Sequence, residues 1–87
     1  MQDDLVHGIP KAYYIEASVG GKTYGYDLED LATKFELRNR KKIEPVHLNP
    51  VTMKEFDPRT MKRIADRLDS LVDKGLIPSE LRSGWSS

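Results

Sequence analysis

Hydrophobic and polar positions change their period several times along this chain. Residues 12–18 read AYYIEAS, rich in aromatic and β-branched side chains, and residues 22–26 read KTYGY. Two such runs around Val19-Gly20-Gly21-Lys22 predict an antiparallel hairpin, because both glycines of a tight turn tolerate positive φ. Gly25 inside the second run is expected to weaken the strand or to mark a bulge. After Tyr26 the period lengthens. Leu28, Leu31, Ala32 and Phe35 stand at i, i+3, i+4 and i+7, one face of a helix. Asp27 is suited to cap its start, and Glu29 and Asp30 lie in the first turn, where the helix dipole favours acids. The expected end is near Leu37, before the basic run RNRKK at residues 38–42.

Residues 43–56, IEPVHLNPVTMKEF, carry two prolines and no helical period. Pro45 and Pro50 each push the preceding residue away from the helical region. A loop, or a short third strand beside the hairpin at residues 46–48, fits this stretch. A second helix then starts cleanly, with Asp57 as N-cap and Pro58 in the first helical position. Met61, Ile64, Ala65, Leu68, Leu71 and Val72 trace one stripe, and Gly75 after Lys74 marks the stop. Residues 79–81 can add one more turn. Residues 84–87 are expected to fray, leaving Trp85 loosely held. The architecture expected is α+β: one small domain over residues 1–87, with a hairpin packed on a central helix and a longer C-terminal helix. Its ordered core is expected over about residues 9–78, between flexible ends.

Composition narrows the classes. The 87 residues suit one domain with a modest core. Hydrophobic residues make up 38%, enough to argue against wholesale disorder. Lys plus Arg and Asp plus Glu each number 14, so formal net charge is zero, which argues against a dedicated nucleic-acid binder. There is no cysteine, so neither disulfides nor a cysteine-ligated zinc site can staple the fold. No apolar run approaches the roughly 20 residues that span a membrane. The acidic start, MQDDLVHGIPK, is not read as a Sec-type signal peptide. An intracellular setting is expected.

Catalytic signatures are missing. His7 and His47 are forty positions apart, and no local motif surrounds Ser18, Thr23 or Thr52. No catalytic residue, metal ligand or cofactor is therefore assigned. Gly20-Gly21-Lys22-Thr23 resembles the tail of a phosphate loop, but it joins two strands instead of opening a helix, and Glu16 stands where the first glycine belongs. The basic run at 38–42, with Lys34, reads as a solvated helix end. Tyr13, Tyr14, Tyr24 and Tyr26 read as core and cross-strand packing before they read as a stacking platform for bases.

The order of features resembles the U-box, the metal-free relative of the RING finger in ubiquitin ligases. The likeness rests on Gly21-Lys22-Thr23-Tyr24 at the hairpin, the short helix after it, Pro50-Val51-Thr52 in the following loop, and the closing helix. It spans about residues 9–72. Similar arrangements occur in divergent U-box-like ligases of bacterial effectors and in proteins of large DNA viruses, so the resemblance implies the cytoplasm, or a host-cell cytosol if the chain is a pathogen effector. The resemblance implies a module without a covalent intermediate, docking a ubiquitin-conjugating enzyme in a reactive pose. It places Ile9 and Pro10 on one side of a docking groove, Phe35 in the middle, and Pro50 and Val51 on the other side. Two other readings stand beside it. One is a noncatalytic interaction or structural module, using the second helix or the hairpin edge. The other is a nucleic-acid accessory protein, using RNRKK and the tyrosines.

Overall fold

The structure is a computed structural model that describes residues 5–6 and 9–86, with side chains from residue 10 onward. A two-residue strand β1 (Leu5–Val6) pairs antiparallel with β2 (Ile9–Pro10). A 3-10 turn at Lys11–Tyr13 leads into β3 (Tyr14–Val19), which pairs antiparallel with β4 (Lys22–Asp27). Helix α1 (Leu28–Lys41), a long loop, helix α2 (Pro58–Asp73) and a 3-10 segment (Ser79–Gly84) complete the chain. The fold is α+β and cysteine-free.

The hairpin turns where the glycines predict it. Gly20 and Gly21 have φ of 60° and 85°, as a type I′ turn requires. Register pairs Ile15 with Tyr26 and Ala17 with Tyr24 on the core face. No bulge forms at Gly25, which pairs with Glu16 in unbroken register. The Tyr14 ring lies over it instead: a Cβ at Gly25 would fall 2.5 Å from the Tyr14 hydroxyl oxygen. A neighbouring aromatic thus covers the backbone that a missing side chain would expose, and its hydroxyl donates to Glu16 at 2.9 Å.

Both helices pack by their apolar stripes. Leu28, Leu31, Ala32 and Phe35 of α1 meet Ile64, Leu68 and Leu71 of α2 in one cluster with Ile15, Ala17, Tyr26, Phe56, Ile77 and Trp85. Ile64 and Leu68, the centre of the α2 stripe, are fully buried, while Met61, Ala65 and Val72 flank it half-buried. Asp57 caps α2 by accepting from the Thr60 N–H at 3.4 Å. Contact with the Thr60 side chain, ahead of that backbone bond, holds the Asp57 carboxyl below its usual value. Arg63 and Arg67 reach from α2 to the carbonyls of Ala12, Tyr14 and Glu16, which cover the outer edge of β3.

Three expectations need correction. First, α1 continues through the basic run to Lys41 and ends on Lys42 in the left-handed region, φ 58°. Ile43 N–H donates to Arg38 O at 2.9 Å and Lys42 N–H to Asn39 O at 3.2 Å, a Schellman ending built without glycine. Arg38, Arg40 and Lys41 in the last turn complement the dipole. Second, no third strand forms among the described residues at 46–48. An isolated bridge joins Leu48 to Glu55. Third, Trp85 is anchored. It is 6% exposed, and its indole N–H donates to Asp69 at 3.0 Å. The segment before it lies directly on α1: a Cβ at Gly84 would fall on the Glu36 amide nitrogen and 2.7 Å from its Cα. Asn39 donates to Ser83 O at 3.1 Å, and Arg82 reaches Asp69 at 3.3 Å. The sequence lacks an apolar period there because a segment lying flat on a helix backbone needs one glycine and one anchor, not a stripe.

Candidate functional site

The loop between the helices is held more tightly than its irregular sequence suggests. Its two arms meet at residues 47–56, where Phe56 N–H donates to His47 O at 3.0 Å and Asn49 N–H to Lys54 O at 2.7 Å. Asn49 is the keystone. It is 2% exposed, yet all of its side-chain groups are satisfied. Its Oδ1 accepts from the amides of Val51 at 2.8 Å and Thr52 at 3.3 Å, and its Nδ2 donates to the Tyr26 hydroxyl at 2.8 Å. An Asx turn thereby fixes the residues after Pro50, and a strand of the hairpin fixes the Asx turn. Burial pushes the Tyr26 hydroxyl above its ordinary pKa, partly offset by the Asn49 bond.

Aromatic rings support the loop. Phe35 lies edge-to-face with His47 at 5.1 Å and with Phe56 at 6.1 Å, and Phe56 meets Tyr26 at 5.5 Å. His47 faces the Gly84 carbonyl at 3.0 Å; a carbonyl only accepts, so Nε2 carries the hydrogen.

Above this platform a cleft of about 340 Å³ opens between the loop and the outer face of α1. Lys34, Leu37, Arg38, Leu48, Pro50 and Met53 line it. Met53 is 66% exposed and holds a positive φ of 60°. A non-glycine residue in that region costs about 1–2 kcal/mol, here on an apolar side chain that gains little burial. The Arg38 Nε donates to Pro45 O at 2.7 Å, tying the far end of the loop to the helix. Lys34 pairs with Asp30 at 2.7 Å, with both side chains half exposed, an ion pair worth about 0–1 kcal/mol.

The residues expected at a docking groove fall in different places. Pro50 lines the cleft. Val51 is 49% exposed at the loop tip beside it. Phe35 has no exposed surface, so it supports the cleft from beneath and touches no partner. Its place on the surface is taken by Leu37. The helical period itself carries that signal: Phe35 shares the inward face with Leu28 and Leu31, whereas 34, 37, 38 and 41 share the outward one. Pro10 is exposed in β2 and does not line the cleft, and the side chain of Ile9 lies outside the described residues, as does His7. Met53 and Leu48 were not legible as groove residues, because only the folded loop turns them toward α1.

Among the described residues no group of three or more histidines, cysteines or carboxylates gathers as metal ligands. No helix among them is long and apolar enough to cross a membrane. Comparisons with protein-family models, with curated proteins and with solved structures match nothing to this chain.

Proposed function

We propose that this chain is a docking module that receives an apolar element of a protein partner in the cleft between α1 and the 47–56 loop. On the U-box-like reading that partner is a ubiquitin-conjugating enzyme, inside a cell, and the contribution to ubiquitin transfer is positioning. One observation carries the docking reading. The loop is clamped by Asn49 and the aromatic platform, yet it displays Pro50 and Met53 against exposed Leu37. A pre-ordered apolar surface loses little entropy on binding, which is what a docking surface needs. A strained backbone at an exposed apolar residue also points to a surface kept for use. The same cleft serves the noncatalytic interaction reading, with a different partner. The α2 stripe does not offer an alternative surface, because its central residues are buried.

Discharge of a ubiquitin thioester from a panel of conjugating enzymes tests the ligase reading. Acceleration by wild type with at least one enzyme, and its loss in Met53→Asp and Pro50→Ala, is the expected result. No acceleration with any enzyme rules out the ligase reading and leaves the noncatalytic one.

A further inference from the structure

The charges around the cleft are not balanced, although the chain is neutral. Its lining holds two cations, Lys34 and Arg38, and no acid. Lys41 follows one turn along the same face, exposed. The carboxylate on this face, Asp30, is engaged by Lys34 at 2.7 Å. Arg38 spends its Nε on a carbonyl, and among the described residues neither Arg38 nor Lys41 has a carboxylate partner. Glu44 and Glu55 line a separate concavity with His47. The rest of the lining, Leu37, Leu48, Pro50 and Met53, is apolar and offers no aromatic ring on which a base could stack.

From this we infer that the cleft is selective for a protein segment in which one or two apolar anchors are flanked by carboxylates. The inference rests on the docking reading above and names the chemistry of the partner. The anchors fill the space between Leu37 and Met53, and the flanking carboxylates meet Arg38 and Lys41 at the rim. Arginine can take a carboxylate in a bidentate fork even while its Nε is used, if the acid approaches the two terminal nitrogens. Rim charges of this kind govern association rate and discrimination more than residence time. A conjugating enzyme that docks here presents an acidic face around its apolar contact, and one with a basic face is disfavoured.

The test uses the full chain, labelled with 15N, and three peptides sharing a Leu-Phe core. One has Asp and Glu flanks, one Asn and Gln flanks, one Lys flanks. The acidic peptide should shift amides of residues 34–41 and 48–54, bind about tenfold more tightly than the neutral one, and weaken as salt rises. The Lys-flanked peptide should not bind. The variant Lys34→Glu/Lys41→Glu, which leaves Arg38 and its loop contact in place, should reverse this order while keeping native amide dispersion. Equal binding of acidic and neutral peptides at the cleft overturns the charge inference but leaves docking intact. Absence of cleft shifts with all three overturns both. A single-stranded oligonucleotide that shifts the same amides more strongly than the acidic peptide overturns the inference in favour of nucleic acid.

Discussion

Replacing Asn49 by Ala should be among the most damaging single polar changes in this protein. The side chain is 2% exposed and makes three hydrogen bonds, to the Tyr26 hydroxyl and to the amides of Val51 and Thr52. Truncation leaves a buried hydroxyl without its partner, at about 1–3 kcal/mol. The two loop amides are only partly buried and can recover water, so each adds about 0.5–1 kcal/mol. The sum is about 2–5 kcal/mol, a large fraction of the roughly 5–15 kcal/mol typical of a domain. Urea denaturation read by Trp85 fluorescence and by circular dichroism measures it, and an unchanged m-value confirms that the same surface unfolds. Tyr26→Phe supplies the control. It leaves Asn49 Nδ2 unpaired and should cost less than Asn49→Ala. The double variant should cost less than the two singles added, by about 1 kcal/mol, since neither orphan remains in it. A loss under about 0.5 kcal/mol for Asn49→Ala, or strict additivity in the cycle, would refute the keystone argument.

Other consequences follow from named positions. Lys42→Gly should stabilise the protein by about 0.5–1 kcal/mol, because the left-handed residue that ends α1 then carries no Cβ; thermal melting checks this. Replacing Gly20 and Gly21 together by Val should cost about 2–4 kcal/mol, since both hold positive φ, and an unchanged denaturation midpoint would show that the turn is not tight. Native Trp85, the sole tryptophan, should emit as a buried indole and shift to longer wavelength on unfolding; emission of a solvated indole in the native protein would contradict its docking. Tyr26 has a folded pKa above its unfolded value of 10.0, so the unfolded state loses its proton first. Stability should therefore be flat in this group below about pH 10 and fall as pH rises through it, and Tyr26→Phe should flatten that fall. Asp57 works in the opposite direction. Its folded pKa is lowered, so the stability that it contributes is present above its unfolded value of 3.8 and is lost as pH falls below that; Asp57→Ala should match wild type only in acid.

The sequence speaks plainly where a local device sets the structure. Gly20-Gly21 dictates a two-residue turn, Asp57-Pro58 dictates a helix start, and the i, i+3, i+4 stripes dictate which faces meet. It is silent where tertiary contact decides. The end of α1 is not legible because Lys42 adopts a conformation that glycine usually signals. The anchoring of Trp85 is not legible because its partner, Asp69, lies sixteen residues away on α2. The candidate site divides the same way. Pro50 is legible as a stiff point in a loop. The likeness to a docking groove puts Phe35 in its middle, but the stripe that Phe35 shares with Leu28 and Leu31 turns it into the core. Met53 and Leu48 reach the cleft only through the hairpin-like closure of residues 47–56, which no short-range pattern announces.

On the proposed reading, this chain meets a protein partner at the cleft between α1 and the 47–56 loop. Chemical-shift mapping of the 15N-labelled chain against a panel of ubiquitin-conjugating enzymes tests it most directly. Saturable shifts are expected at Leu37, Arg38, Leu48, Val51 and Met53 with at least one enzyme, and their loss in Met53→Asp with the rest of the spectrum unchanged. Shifts confined to another surface, such as the exposed face of α2, or shifts that survive Met53→Asp, would contradict it.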